Sequence, residues 1–302
     1  LNIYSIIVAY YPKVDDLVRT CGLLLAAGSE VVLVDNTEQS RLPDEPALRG
    51  CSVIPLGENT GIAHAQNIGI EHALKKGAHV IVFFDQDSKI DHGFIEALVT
   101  PLRQGGAGVV VPVCVDDATG VELPSARLSR LGLPRPAYSS GRRDVNVVDI
   151  GIASGTAASK EVFEAVGVLD EELFIDFVDT EWCLRCRSRN IRLRVVPTAV
   201  LRHTVGTASI NLGVMRLFVH SPSRCYYQIR NCLLLFRRKH VPSLFALHEI
   251  VSVWSSRLLL LLFVGNRGEY LRAYVSAVAD GCRGIGGKRE TKKNDEGKRN
   301  ER

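Results

Sequence analysis

The stretch AHVIVFFDQDS, residues 78–88, decides the fold. Its apolar run, rich in β-branched and aromatic residues, reads as a buried strand. The run stops abruptly at Asp85-Gln86-Asp87. In open α/β sheets the ligand crevice lies beyond the carboxyl ends of the strands. Acids at a strand's exit therefore stand where a ligand would bind. Two carboxylates two residues apart can both face a hard divalent cation, which takes oxygen ligands and bridges diphosphate oxygens. A plain acidic turn is the bland alternative, and the position directly after five apolar residues argues against it.

Working outward, the same rhythm recurs. Before the stretch come a strand in IYSIIVAYY, an amphipathic helix over residues 14–27, a second strand in EVVLVDN and a third in CSVIPLG. A helix follows in GIAHAQNIGIEHALKKG. After it come a helix in IDHGFIEALVTPLRQ and a strand in AGVVVPVCVD. This βαβ alternation predicts an α/β fold, a mostly parallel sheet with helices on both faces. Asp35, Asn59, Asp85 and Asp87 all fall at or just after strand ends, so they can converge on one crevice. Residues 117–145 lack periodicity and read as a long surface loop or small hairpin, of a length that is more often functional than idle. Beyond them, residues 146–167 read as strand, turn and helix, and EELFIDFVDTEWCLRCRSRN as a loop entering a helix. IRLRVVPTAVLRH reads as a strand pair, and everything from residue 223 as helix.

Composition narrows the function. The chain has 302 residues, 46% hydrophobic and 23% charged, enough for a core that needs no disulfide. Its cysteines are scattered, and Cys183 and Cys186 lack a matching second pair, so reduced core thiols are expected instead of zinc. The opening apolar run has no basic flank and reads as a first strand, not a signal peptide. No apolar stretch is long enough to span a membrane. There is no GxGxxG and no Walker A pattern, which argues against dinucleotide enzymes and NTPases. The net charge of +4 hides an acid-free block over residues 182–248. A one-signed block of that length suggests an anionic partner such as phosphates or an acidic membrane surface. Nucleic acid is disfavoured, because only Tyr226 and Tyr227 interleave with the basic residues.

Six segments in order along residues 3–240 carry a resemblance: SIIVAYYP, VVLVDN, GENTGIAHAQNIGI, FFDQDS, SGTAASKEVFEAVGVLDEELFIDFVDTEWCLR and LRHTVG. Together they resemble the family 2 glycosyltransferases, with the nucleotide-sugar-binding fold called GT-A. FDQDS, FIDFVDTEW and SPSRCYYQIRN look like the bacterial rhamnosyltransferase branch. Val178-Asp179 and Glu181-Trp182 depart from the Glu-Asp and Asp-Leu common in relatives and serve as a branch marker. The resemblance implies a GT-A domain over residues 1–222, with a donor half at 1–115 and an acceptor half at 146–222. A helical acceptor or membrane-proximal region over 223–282 and a disordered basic tail over 283–302 would follow. Reduced thiols point to a cytoplasmic protein, on the inner face of the cell membrane if the basic block and the apolar helix after it dock there.

The implied activity is inverting, divalent-metal-dependent sugar transfer, with dTDP-L-rhamnose as donor and a glycan or lipid-linked hydroxyl as acceptor. Mg²⁺ or Mn²⁺ would be held by Asp85, Asp87 and His203, and would neutralise charge on the leaving diphosphate. Asp179 is the implied general base, with Asp176 as the competing candidate. Ala9, Tyr10, Asp35, Asn59, Gly61, Asn67 and Gln86 are implied to bind the nucleotide sugar, Asp35 by accepting from the base N3–H. Asp35 in a turn with Asn36, Asn59 as a helix cap and His203 as a strand-end residue are the bland alternatives. Asp176, Glu181, Trp182, Arg224, Tyr227, Arg230 and Asn231 are implied to face the acceptor. The last four share a broad helix face that could equally be a solvated basic one. A UDP-hexose donor is the runner-up, and a non-catalytic nucleotide-sugar binder would need a broken metal or base motif.

Overall fold

The computed structural model describes residues 1–39, 42–105, 108–141, 146–203, 209–211 and 216–290. The first half runs β1 (Ile3–Ala9), α1 (Val14–Ala26), β2 (Glu30–Asp35), β3 (Ser52–Pro55), α2 (Ile62–Lys75), β4 (Val80–Asp85), α3 (Phe94–Arg103) and β5 (Val109–Asp116). Short strands follow: β6 (Glu122–Leu123), β7 (Ser125–Leu128), β8 (Pro134–Ala137), β9 (Asn146–Val148) and β10 (Ala157–Ser159). The remainder is α4 (Lys160–Val166), α5 (Val178–Ser188), β11 (Leu193–His203), β12 (Ser209–Asn211), β13 (Arg216–Phe218), α6 (Pro222–Arg237), α7 (Ser243–Leu260) and α8 (Arg267–Arg283).

The main sheet has the order β3-β2-β1-β4-β10-β5-β11-β9, with β6 paired to β5. β3, β2, β1 and β4 are mutually parallel, and β11 runs parallel to β5. β10 is antiparallel to both neighbours and β9 to β11. Strand alternation sends successive side chains to opposite faces. Ile6, Val8, Ile81 and Phe83 pack on one face with α2, α4 and α5. Ile7, Ala9, Val82 and Phe84 pack on the other with α1 and α3. A third core joins α6, α7 and α8 through Tyr226, Ile229, Leu260, Tyr270 and Tyr274. The chain leaves β1 toward β2 on one side and returns at β4 on the other. The carboxyl ends of β1 and β4 are therefore a switch point where the connections diverge and leave a crevice.

Two expectations change, and of the two readings of residues 117–145 the hairpin is the one found. The segment read as a strand pair is one strand, β11, with a register shift between Val196 and Val200. Pro197 lies inside that irregularity, and proline cannot donate to a ladder, so it is tolerated at such a bulge. Residues 117–145 contain β6 and a β7–β8 hairpin; of them, 142–145 lie outside the described residues. Part of the expected disordered tail is ordered. Residues 284–290 are held against the body, with Gly287 N donating to Glu172 O at 2.6 Å and Arg289 N to the Tyr227 hydroxyl at 2.9 Å. The rest of that tail, 291–302, and residues 204–206 of the histidine segment are outside the described residues.

Candidate active site

A cavity of about 850 Å³ opens at the β1/β4 switch point. Its floor comes from strand ends, because β-strands deliver their last side chains to one edge. β4 supplies Asp85, followed by Gln86 and Asp87, and β11 supplies His203 from its own carboxyl end. His203 Nε2 lies 3.9 Å from Asp85 Oδ2, and its Nδ1 lies 3.6 Å from Asp87 Oδ1. One ligand atom of each residue lies within 4.8 Å of the others. His203 Nδ1 is buried and has no hydrogen-bond partner among the described residues. A buried imidazole nitrogen left unpaired is costly unless a ligand claims it. Burial pushes the Asp85 carboxyl up to about 6; Asp87 and Asp179 push the same way, while His203 and Arg224 pull it back. Two oxygens and a nitrogen converging where negative charge is already strained fit a divalent cation.

Gln86, between the two acids, plays a different part from a free ligand-binding amide. Its Oε1 accepts from Tyr10 N at 2.6 Å and its Nε2 donates to Tyr10 O at 3.2 Å. That pairing ties the end of β4 to the end of β1. Asp85 N is in turn within bonding distance of the hydroxyls of Ser88 and Ser154, 2.5 Å apart from each other. The acidic turn is thus fixed on both sides by Ser88 and Ser154, which lie in the quoted FFDQDS and SGTAAS segments but were not among the site candidates.

The opposite wall is the segment leading into α5. Asp179 sits in the first turn of that helix. Its Oδ1 accepts from Thr180 N at 2.7 Å and its Oδ2 from Ala153 N at 3.3 Å. Burial raises its carboxyl above the ordinary range and outweighs those two donors, with Asp176 adding to the rise. Asp176 is committed elsewhere: Arg224 grips it with two nitrogens, at 3.0 and 3.2 Å. Bidentate guanidinium–carboxylate pairs are strong and geometrically specific. His220 also lines the cavity, and burial together with Arg224 and Arg257 pushes it down to about 4. It is therefore a neutral imidazole near pH 7.

Tyr10, Asn59, Gly61, Asp85, Gln86, Asp87, Asp176, Asp179, His203 and Arg224 all line the cavity. The other sequence candidates are placed elsewhere. Ala9 is wholly buried in the α1/α3 core. Asp35 is 1% exposed, with Oδ1 accepting from Thr37 N at 3.0 Å, and the neighbouring Asn36 lines the cavity. Asn36 Oδ1 accepts from Thr60 N at 2.8 Å, and Asn59 Oδ1 from Gly61 N at 3.0 Å. Gly61 itself has φ +88°, and a Cβ there would stand 2.5 Å from the Phe174 ring, so only glycine fits. Asn67 faces away, bonded to the backbone of Leu169 and to Glu171, and Gln66, one residue earlier on α2, takes the cavity side.

Four acceptor candidates on α5 and α6 do not line the cavity, and neither does Tyr227. Glu181 is 1% exposed, bonded to Arg185, and has His240 Nε2 at 2.7 Å. Trp182 stacks on Phe163 and donates to Gly167 O at 3.0 Å. Arg230 and Asn231 are fully buried on backbone carbonyls, and Tyr227 stacks on Phe174 at 4.7 Å. Arg224 and Gln228 line the cavity from α6, whereas Arg230 and Asn231, farther along the same helix, are buried. Phe174, Phe177, Phe218, His220 and Gln228 line the cavity without having been singled out. Their apolar or neutral character leaves no charge pattern to find them by.

The family described as Glycosyl transferase family 2 matches residues 5–167. A dTDP-rhamnosyl transferase, RfbF of Shigella flexneri, is 39% identical over 95% of this chain and 97% of its own length. The chain belongs to glycosyltransferase family 2. Among solved structures, S. aureus TarS 1-349 in complex with UDP-GlcNAc aligns over 94% of this glycosyltransferase and 82% of that chain, with TM-score 0.56 and 12% identity. GalNAc-T7 with UDP, GalNAc and Mn2+ aligns over 77% of this chain and 51% of that one, with TM-score 0.56 and 16% identity. Both likenesses are of fold. The family match contains Asp85 and Asp87 and ends before Asp179 and His203, so those two roles rest on the cavity's geometry.

Proposed function

We propose that this family 2 glycosyltransferase transfers L-rhamnose from dTDP-L-rhamnose to a hydroxyl of a glycan or lipid-linked acceptor, with inversion. The carrying observation is that Asp85, Asp87 and His203 share one cavity with Asp179, whose half-buried carboxyl is raised. The rhamnosyl donor is supported by near-full-length similarity to the Shigella flexneri transferase. Phe174, Phe177 and Ile175 give the cavity apolar lining that suits the C6 methyl of a deoxyhexose.

In the reaction, the acceptor oxygen forms a bond to C1 of the sugar while the bond from C1 to the β-phosphate oxygen breaks. The leaving electron pair stays on dTDP. Asp179 takes the acceptor proton; a raised carboxyl is a better base than an ordinary one. Mg²⁺ or Mn²⁺ held by Asp85, Asp87 and His203 would supply positive charge to the leaving diphosphate. Arg224 holds Asp176 in an ion pair, which leaves Asp179 as the available base. Attack and departure on opposite sides of C1 invert it.

The test is transfer and donor hydrolysis screened over dTDP-L-rhamnose, UDP-hexoses and GDP-sugars, with Mg²⁺, Mn²⁺ or EDTA. Turnover should be greatest with dTDP-L-rhamnose, vanish in EDTA and vanish in Asp85→Ala and Asp87→Ala. Preference for a UDP-hexose would overturn the donor, and full activity in EDTA would overturn the cation. Among the described residues no helix is long and apolar enough to cross a membrane. A lipid-linked acceptor would instead be met by docking of α7 on the membrane surface.

A further inference from the structure

The segment that carries Asp176 and delivers Asp179 has an unusual backbone. Phe174, Asp176 and Phe177 have φ of 62°, 64° and 65°. L-residues visit this left-handed region reluctantly, and three in four positions persist only where the surroundings over-determine them. The surroundings are explicit. Glu172 O accepts from Arg230 Nη2 at 2.9 Å and from Gly287 N at 2.6 Å. Leu173 O accepts from Arg230 Nη2 at 3.1 Å and Asn231 Nδ2 at 2.7 Å. Phe174 O accepts from Ile62 N at 2.8 Å. Ile175 O and Asp176 O both accept from Asn231 Nδ2, at 2.7 and 3.0 Å. Five consecutive carbonyls of a loop are thus claimed, most of them by two adjacent side chains on α6.

Those side chains are themselves locked. Arg230 Nε donates to Asn231 Oδ1 at 3.0 Å, which orients the amide so that Nδ2 points at the loop. Arg230 Nη1 donates to Gly287 O at 2.6 Å, and its guanidinium carbon lies 5.0 Å from the centre of the Tyr227 ring. Gly287 belongs to the stretch after α8, which folds back over the loop. A Cβ at Gly286 would stand 2.4 Å from Glu172 Cβ, so that contact has no slack. The polar atoms of a fully buried arginine are spent on holding a backbone, not on a ligand.

We propose that Asn231 and Arg230, with residues 286–289 as a strap, are positioning residues for sugar transfer. They hold the 172–177 loop so that Asp179 meets the acceptor hydroxyl. This inference rests on the proposed function, since it assigns Asp179 as the base. It predicts that loosening the clamp lowers turnover and spares nucleotide binding, because the Tyr10–Gln86 pairing at the ends of β1 and β4 is made without the loop.

The experiment compares Asn231→Asp, Asn231→Ala and a chain ended after Ile285 with the full chain, measuring kcat and the Kd for dTDP by calorimetry. Asn231→Asp keeps the side-chain size and loses the donor; a space-filling role would leave it active. Each should lose about tenfold to a hundredfold in kcat, the scale of a slight misplacement of a reacting group, with Kd for dTDP within about twofold. A chain ended after Glu290 keeps the strap and should match the full chain. Wild-type kcat in a folded Asn231→Asp, or a parallel loss of dTDP binding, would overturn the proposal. If the full chain prefers another sugar nucleotide, the ratios are read with that donor; the donor assignment then fails while the positioning role is still judged on its own.

Discussion

Asp179 is held against its own electrostatics. Burial raises its carboxyl, so the folded protein favours the neutral form relative to the unfolded chain. A group with a raised folded pKa contributes stability below its unfolded value and loses it as pH rises through the folded value. Near neutral pH the ionised Asp179 therefore destabilises the fold, a cost that its proposed role as base requires. Asp179→Asn should lose at least about a hundredfold in turnover, yet unfold at a temperature no lower than the wild type at pH 7. The acid limb of the wild-type rate profile should lie above the ordinary aspartate range of about 4. Rate profiles and thermal unfolding at pH 7 check both halves; an unchanged kcat, with loss in Asp176→Asn instead, would move the base to Asp176.

At the scale of elements, α5 shows why adjacent residues of one motif part company. A helix turns about 100° per residue, so Asp179 faces the cavity while Glu181 faces Arg185 and His240. Burial raises the Glu181 carboxyl, but the hydrogen bonds from His240 and Arg185 outweigh it and hold it below the usual range. Its contribution to stability is present above the unfolded pKa and lost as pH falls through the folded one. Glu181→Ala should cost about 3–5 kcal/mol, the usual effect of breaking a buried pair, and leave the acceptor KM unchanged in whatever fraction stays folded. Denaturant unfolding and acceptor titration separate the two; a raised KM at unchanged stability would restore an acceptor role. The same geometry explains what was legible in the chain. VIVFFDQD could be placed at a crevice because strand ends obey a topological rule, and Asp179 because its wording matched a family. The partition between cavity and core of Asn67 and Gln66, or Asn36 and Asp35, depends on rotations of one residue that no hydrophobic pattern marks. The clamp of Arg230 and Asn231 was illegible for a stronger reason. Polar residues on a helix read as surface, and only the folded chain brings the 172–177 carbonyls to them.

For the whole molecule, the acid-free block changes meaning once folded. Arg185 meets Glu181, Arg187 and Arg192 meet Asp149, Arg224 meets Asp176, and Arg238 meets Asp170 and Glu172. Much of the positive charge answers acids earlier in the chain, so the block alone does not demand an anionic partner. Arg257 is 7% exposed and packed beside Phe218 and Cys225. What argues for a membrane is instead the outer face of α7 and its continuation. Leu244, Leu247, Val251, Leu258 and Leu262 are exposed and recur at three-, four- and seven-residue spacings, a single helical stripe. Exposed Arg237 and Lys239 precede that stripe in the chain, and exposed Arg267 and Arg272 follow it. Basic residues flanking an apolar stripe suit a helix lying in an anionic lipid interface. We predict that the protein sediments with anionic vesicles and not with neutral ones, and that binding weakens as salt rises because exposed charges are screened. Val251→Glu with Leu258→Glu should abolish sedimentation, and Arg237→Gln with Lys239→Gln should reduce it, both with soluble-acceptor turnover unchanged. Neutralising Arg238 would confound the test, since it would break the ion pairs that anchor the 170–172 turn. Equal recovery in the supernatant with both vesicle types at low salt would overturn the docking, and a dimer dissociated by the same glutamates would assign the stripe to a second copy of the chain.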